Sequence, residues 1–340
     1  MNKRSKILTI IAAIGIISVG VGIGYSKGKL GFGKNNTYYA YVPNAADGTI
    51  SVIDTNKHEV IKDIDIGISA SDGIAVSKDG KFIYAGNGDG GNIVVVDSST
   101  GEKVKEVKTG RNVHGIDITP DGKYVYVASG DLKDGEEYNY VSIIDTKTNS
   151  IVGQITSDWK SPSHIDFSED GKFAYVSNVI SNEVAVVDTN TREVIKEIPV
   201  GNIPNENEPS NDGSKLYVAS VGDGTLSVIN LKDYSTIDII KSGKGTHGIA
   251  VTRDDKQVWA ANWSSQDVSV IDTDTSKVIK TIKLGGVPNH LSIVPDTNIM
   301  YVSNKDLEEI EVIDMDSYEV IKKIPIGEEP HEIDFALIKD

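Results

Sequence analysis

Short segments in which hydrophobic and polar residues alternate make up most of this 340-residue chain. Alternation with a period of two predicts half-buried β-strands, and the intervening turns, such as TPDGK and SEDGK, carry the Asp and Gly that tight reversals require. A strand that ends in a polar turn, acidic in six of its seven copies, recurs as SVIDT, VVVDS, SIIDT, AVVDT, SVINL, SVIDT and EVIDM. The turn residues are Asp54, Asp97, Asp145, Asp188, Asn230, Asp272 and Asp314. This pattern predicts an all-β protein made of seven repeats.

The repeats are spaced by 42 to 48 residues, which is the length of one four-stranded blade of a β-propeller. The third repeat shows the four expected strands, near residues 114–119, 124–128, 140–144 and 151–155. The chain starts out of phase, because Tyr38–Val42 is a second strand without a first and His331–Leu337 is a first strand without a second. We therefore predict a seven-bladed β-propeller over residues 38–340, with circular closure by the C-terminal strand.

The N-terminal segment has the pattern of a membrane anchor. Lys3, Arg4 and Lys6 precede an uncharged run from Ile7 to Tyr25, which is long enough to span a bilayer. The prediction is a cytoplasmic basic end at 1–6, a transmembrane signal anchor at 7–25 and a linker at 26–37, with the propeller on the extracytoplasmic side of the cell membrane. A cleaved signal peptide is the alternative.

Charge and composition narrow the function. The net charge is −16, and all charged residues of the first 34 are basic, so the predicted propeller is strongly acidic and nucleic acid is not an expected partner. The chain has no cysteine, which excludes disulfides, thiolate metal sites and cysteine nucleophiles. It also lacks the G-x-S-x-G, H-E-x-x-H and P-loop motifs.

The predicted second strands share a recognisable motif. They read YAYVPN, FIYAGN, YVYVAS, FAYVSN, LYVAS, VWAAN and MYVSN, and together with the VID strands and PDG-type turns they resemble the YVTN family of propeller repeats over residues 38–337. The resemblance implies a seven-bladed fold. It assigns no activity, because the family includes surface proteins of unknown role and relatives of copper- or haem-carrying propellers such as nitrous oxide reductase, nitrite reductase and thiocyanate dehydrogenase.

Histidine is concentrated at two adjacent positions of the repeat. Five of the six histidines fall in the two positions before the apolar residue of each first strand, and these are His114, His164, His247, His290 and His331. Since first strands surround the channel of a propeller, we expect the imidazoles to converge at its mouth, where they are candidate metal ligands. The resemblance implies copper as the metal, with haem as the second choice. Alternatively, each histidine is a structural turn residue that hydrogen-bonds the next blade.

Five other residues belong to the candidate ligand site at the channel mouth. Asp72 occupies the same position as the histidines, and Glu206 and Glu208 break the apolar pattern of the fifth first strand. Either glutamate is a candidate general base, metal ligand or partner of a ligand, unless this strand is merely frayed. Arg111 and Lys244 each precede a histidine by three residues and are candidate contacts for an anionic ligand, or solvated loop charges.

Two classes of function follow. The first is a membrane-anchored binding or scaffold propeller whose channel mouth recognises a small molecule, an envelope component or a protein. The alternative is a copper- or haem-dependent oxidoreductase that uses the histidine ring. The binding module is preferred, because the sequence contains no electron-transfer domain.

Overall fold

The computed structural model describes residues 36–67, 70–87, 90–110, 112–130 and 139–339. These residues form seven four-stranded antiparallel sheets, so the predicted all-β, seven-bladed propeller is confirmed. No helix in this part of the chain is long and apolar enough to cross a membrane. The predicted transmembrane segment at 7–25 lies outside the described residues.

Each blade contains four strands, which are arranged in order from the channel to the periphery. The innermost strands are β4 (Ala70–Val76), β8 (Val113–Ile118), β12 (Pro162–Phe167), β16 (Pro204–Pro209), β20 (Thr246–Val251), β24 (Pro288–Ile293) and β28 (Asp334–Lys339). The second strands are β1 (Asn36–Asn44), β5 (Phe82–Asn87), β9 (Tyr124–Ser129), β13 (Phe173–Asn178), β17 (Lys215–Ser220), β21 (Gln257–Asn262) and β25 (Ile299–Asn304).

The outer half of each blade carries the repeated VID sequence. The third strands are β2 (Thr49–Asp54), β6 (Asn92–Asp97), β10 (Tyr140–Asp145), β14 (Glu183–Asp188), β18 (Thr225–Asn230), β22 (Asp267–Asp272) and β26 (Glu309–Asp314). The peripheral strands are β3 (Glu59–Asp65), β7 (Lys103–Lys108), β11 (Ser150–Thr156), β15 (Glu193–Pro199), β19 (Thr236–Lys241), β23 (Lys277–Lys283) and β27 (Glu319–Pro325).

The two ends of the chain form one blade, in the strand order β28-β1-β2-β3. Tyr38 pairs with Leu337 and Tyr41 pairs with Asp334, and the His331 amide donates to the Pro43 carbonyl at 3.1 Å. The regular closing strand begins at Asp334, three residues later than predicted, because residues 331–333 do not pair as a ladder. Circular closure is as the out-of-phase sequence predicts.

The hydrophobic cores lie between adjacent blades. Each core joins residues of two neighbouring sheets, as where Val52 of the first blade packs with Ile83 and Val94 of the second. The last blade meets the first in the same way, through Tyr301 and Val42. Because each interior is shared by two blades, the closing strand matters to the whole ring.

The Asp turns fix the ends of the third strands. The Asp145 carboxylate accepts hydrogen bonds from the amides of Lys147 and Thr148, and Asn149 follows with a positive φ, which is a geometry that Asn tolerates. His58 lies in the equivalent turn and is partly buried. Its Nδ1 is 2.6 Å from the hydroxyl of Tyr301 in the last blade.

Candidate functional site

A β-bulge in the inner strands places the predicted site residues at the axis. In β12 the pairing register shifts between Pro162 and Ile165, and in β24 it shifts between Pro288 and Leu291. The residues inside the bulge of β12 are Ser163 and His164. An extra residue in one strand re-aims its side chains. The recurring bulge is therefore the local reason why the residue immediately before the apolar position faces the axis, as His164 and His290 do.

The residues immediately before the apolar position of the seven inner strands form a ring around the axis, here called the first ring. Its members are Gly73, Gly115, His164, Glu206, Gly248, His290 and Glu332. Glycine is required where inner strands approach closely: a Cβ on Gly115 would lie 2.5 Å from the Ser163 carbonyl oxygen, and one on Gly248 would lie 2.6 Å from that of Asn289. The four larger side chains share the space that the glycines leave.

The four polar members of the first ring form two His–Glu pairs. His164 Nδ1 lies 2.9 Å from Glu332 Oε1, and His290 Nδ1 lies 3.3 Å from Glu206 Oε2. Both imidazoles are almost fully buried, whereas the glutamate side chains keep 15% and 22% of their surface exposed. The glutamates are also fixed by the next blade, because Ile74 donates its amide to Glu332 at 3.0 Å and Ile249 donates to Glu206 at 2.6 Å.

Two further histidines extend this group. The ring of His247 is centred 4.7 Å from that of His290 and 6.1 Å from that of His331. His247 also stacks on Trp263 at a centroid distance of 3.8 Å, and its Nδ1 lies 3.2 Å from the Asn289 carbonyl oxygen. Burial and the neighbouring imidazoles hold the pKa of His247 well below its usual value, so this ring is neutral at pH 7.

One subset of these residues has the spacing of a metal site. Among the described residues, His164, His290 and Glu332 can each offer a ligand atom such that the three atoms lie within 4.8 Å of one another. His114, His247 and His331, which the sequence also offers as ligands, lie outside this subset. The third candidate ligand is the carboxylate of Glu332, where the sequence predicts a third imidazole.

A second ring lies two residues further along each inner strand. It consists of Ala75, Asp117, Asp166, Glu208, Ala250, Ser292 and Asp334. Two of its carboxylates repeat the contact made by the glutamates of the first ring: Val251 donates its amide to Glu208 at 2.9 Å, and Val76 donates to Asp334 at 2.6 Å. The residue before each donor is a small one of the next blade, Ala250 before Val251 and Ala75 before Val76. These small side chains leave space for the carboxyl groups of Glu208 and Asp334.

The acids of the second ring are shifted toward the protonated form. Burial raises the pKa of Asp166 to about 7. Burial, followed by the charge of Asp166, raises the pKa of Asp117 and of Glu208 well above the usual range, and burial also raises that of Asp334. Lys78 is the nearby cation, and its charge lowers the pKa values of Asp117, Asp166 and Asp334 by less than burial raises them.

Both rings line one axial cavity of about 310 Å³. Its acidic lining residues are Asp117, Asp166, Glu206, Glu208, Glu332 and Asp334. Of the described residues that line it, none is Lys or Arg. The cavity is thus an acidic chamber with His164 and His290 on its wall.

The remaining predicted site residues are distributed as follows. His114 lies in β8, partly buried, and does not line the cavity. Lys244 is exposed in the turn before β20 and also does not line it. Asp72 belongs to β4, but its side chain is outside the described part of the chain, as is Arg111. The inner strand of the fifth blade, β16, is paired with β17, so Glu206 and Glu208 do not lie on a frayed strand.

Sequence reasoning missed four cavity acids, namely Asp117, Asp166, Glu332 and Asp334. The signal was present, because three inner strands read HGIDI, SHIDF and HEIDF, and the Asp residues lie two positions after residues of the first ring. Residues two apart on a strand share a face. Trp159, which precedes the fourth blade, packs in a core between blades, and its indole donates to the Asn139 carbonyl at 3.1 Å.

Fold and site together define the class of this protein: a circularly closed seven-bladed β-propeller with imidazoles and carboxylates grouped on its axis. The chain belongs to the family described as "Lactonase, 7-bladed beta-propeller", whose model matches residues 30–320. This agrees with the resemblance to YVTN-type propeller repeats. A search of curated proteins found no significant match.

Solved structures show the same fold at low sequence identity. Kuenenia stuttgartiensis hydrazine synthase is 20% identical, with a TM-score of 0.70 over 86% of this chain and 99% of that one. A functionally unknown protein from Desulfotomaculum acetoxidans is 16% identical, with a TM-score of 0.75 over 89% and 99%. The dihydro-haem d1 dehydrogenase NirN, in complex with DHE, is 16% identical, with a TM-score of 0.65 over 87% and 74%. At these identities the similarity shows the fold alone.

Proposed function

We propose that this protein is a membrane-anchored, extracytoplasmic binding module whose axial cavity holds a small cationic ligand. The observation that carries the proposal is the cavity lining, which has six carboxyl groups and, among its described residues, no Lys or Arg. Burial raises the pKa values of the four acids of the second ring, so a cation that enters the cavity displaces protons from these groups and gains carboxylate partners. The recognised species is therefore a metal ion or a small organic cation.

The same lining argues against an anionic ligand. Of the two basic residues expected to attract anions, Lys244 is exposed and does not line the cavity, whereas Arg111 lies outside the described residues. The propionates of a haem would meet carboxyl groups and, among the described lining residues, neither Lys nor Arg. On charge grounds, the cavity fits a metal ion better than it fits a haem.

The cellular part of the proposal rests on the sequence. The basic start and the uncharged run at 7–25 support a single membrane anchor with the propeller outside the cell. A cavity of about 310 Å³ holds an ion or a small molecule, whereas an envelope polymer or a protein partner would have to use the outer surface.

The test compares ligands of opposite charge on the full chain, purified in mild detergent without a His tag. Binding is followed by equilibrium dialysis and thermal unfolding with Zn²⁺, Mn²⁺, Ca²⁺ and spermidine, against phosphate, citrate and haem. At least one cation should raise the melting temperature as ligand linkage requires, and the anions should not. Glu206→Gln together with Glu208→Gln should weaken the effect, while Glu169→Gln together with Glu193→Gln, the same substitutions at two exposed residues, should leave it unchanged. Stabilisation by anions alone, or by none of these ligands, would contradict the proposal.

A second candidate function is redox chemistry at a copper ion. The observation that favours it is the group of four imidazoles at the axis, since His290 is centred 4.9 Å from His331 and 5.0 Å from His164, and imidazole is a good copper ligand. Copper binding with a reversible one-electron couple, measured by voltammetry, would support this function. Copper that binds but cannot be reduced reversibly would leave the binding module as the function.

A further inference from the structure

From the geometry of the first ring we infer a mononuclear divalent transition-metal centre whose ligands are His164, His290 and Glu332. This inference rests on the proposed function and specifies its ligand as Zn²⁺ or a closely similar ion. The three residues come from β12, from β24 and from the segment before β28, and only the closed ring brings them together.

The distances fit a site that tightens on metal binding. The three ligand atoms lie within 4.8 Å of one another, whereas atoms bound at the usual Zn–N and Zn–O lengths lie about 3.3 Å apart. Side-chain rotation covers the difference. The 2.9 Å contact between His164 Nδ1 and Glu332 Oε1 is a proton-mediated pairing, and a cation placed between these atoms replaces the proton.

The surroundings hold the ligands in place, as metal sites require. Glu332 is anchored through its other oxygen by the Ile74 amide at 3.0 Å. His290 faces Glu206, which is anchored by the Ile249 amide at 2.6 Å. A carboxylate that hydrogen-bonds a ligating histidine sets its ring orientation and basicity, and removing such a partner costs about 10–100-fold in metal affinity. Glu206 is therefore a positioning residue, and it orients His290.

The ligand types select the metal. Two imidazoles disfavour Ca²⁺ and Mg²⁺, which prefer all-oxygen sites, and a carboxylate without any thiolate disfavours Cu⁺. Two histidines and one glutamate are the set found in open zinc sites and in non-haem iron sites. Three protein ligands leave at least one position of the ion facing the cavity, where a small ligand with an oxygen or nitrogen donor can coordinate.

The experiment measures Zn²⁺ affinity and stoichiometry by calorimetry on the full, untagged chain, and the absorption spectrum of the Co²⁺ form. The wild type should bind one equivalent, with Ca²⁺ and Mg²⁺ weaker by about 100-fold or more. His164→Gln, His290→Gln and Glu332→Gln should each weaken Zn²⁺ by about 100-fold or more, because even an outer partner is worth 10–100-fold. Glu206→Gln should lose about 10–100-fold and keep the Co²⁺ spectrum of the wild type.

His114→Gln is the matched control, because it is the same substitution one residue before the first ring and outside the ligand set; the Zn²⁺ affinity of this variant should stay unchanged. Cooperative melting without metal verifies the fold of each variant. If one variant fails to fold, a wild-type Co²⁺ spectrum typical of six oxygen ligands would still overturn the inference.

The remaining outcomes separate the inference from the proposed function. If Ca²⁺ or spermidine binds as tightly as Zn²⁺ and the histidine variants change nothing, the centre is wrong while the cationic cavity stands. If Zn²⁺ binding depends equally on His114, the ligand assignment is wrong. If no cation binds, both are wrong.

Discussion

Removing the closing strand should destabilise the entire propeller. Deletion of residues 330–340 removes β28, which pairs with β1 from Asn36 to Tyr41. It also removes buried Ile333 and Ala336 together with partly buried Phe335 and Ile338, which fill the cores on both sides of the blade. The lost apolar burial is worth about 5 kcal/mol at about 1.5–3 kcal/mol for each fully buried large side chain, before the exposed edge of β1 is considered.

A loss of this size should lower the melting temperature of the full chain by about 10 °C or more, since 1 kcal/mol shifts a domain of this size by about 2 °C. Circular dichroism melts in EDTA give the measurement, because the truncation also removes Glu332 and any metal it binds. Deletion of Asp340 alone is the control and should have no effect. A truncated protein that melts within about 3 °C of the intact chain would refute the closure argument and show that six complete blades hold the ring by themselves.

Three further outcomes are expected. Asp117→Asn should make the melting temperature fall less steeply between pH 5 and 8, because burial and the charge of Asp166 raise the pKa of Asp117. The stability that protonated Asp117 contributes is complete below its pKa in the unfolded chain, about 4, and is lost as the pH rises through its pKa in the folded protein. An equal slope in both proteins would exclude Asp117 as the cause. Co²⁺ should quench the fluorescence of Trp263, which stacks on His247, and Trp263→Phe should abolish the quenching while Trp259→Phe keeps it. Protease added to intact cells should release the propeller from an anchor at residues 7–25; a soluble protein that begins near residue 26 would show a cleaved signal peptide.

The repeat-level features of the fold were predictable because they depend on local chemistry. The VID turns end in residues such as Asp145, whose carboxylate bonds amides two and three positions away, so the turn is readable wherever that sequence recurs. Strand bounds in the third repeat agree to within one residue with β8, β9, β10 and β11. The start of the closing strand was predicted three residues too early. Residues 331–333 lie before Asp334 without ladder pairing.

The candidate site was only half predictable. The repeat predicts that His164 and His290 occupy equivalent positions in their blades. It does not predict that their partners are Glu332 and Glu206. Glu332 and His164 are separated by about half the length of the chain, and their 2.9 Å contact exists only because the ring closes across a narrow channel.

By itself, the sequence determined the all-β class, the number of blades, the out-of-phase closure and the concentration of histidine at two adjacent repeat positions, because each is encoded in short periodic segments. Only the tertiary structure decided which side chains share the axis, that carboxylates outnumber imidazoles there, and that Trp159 and His58 are held by distant residues. The physical reason is that the channel is narrow enough for non-adjacent blades to touch, so contacts at its centre depend on the diameter of the ring and on the β-bulges, which no local pattern specifies.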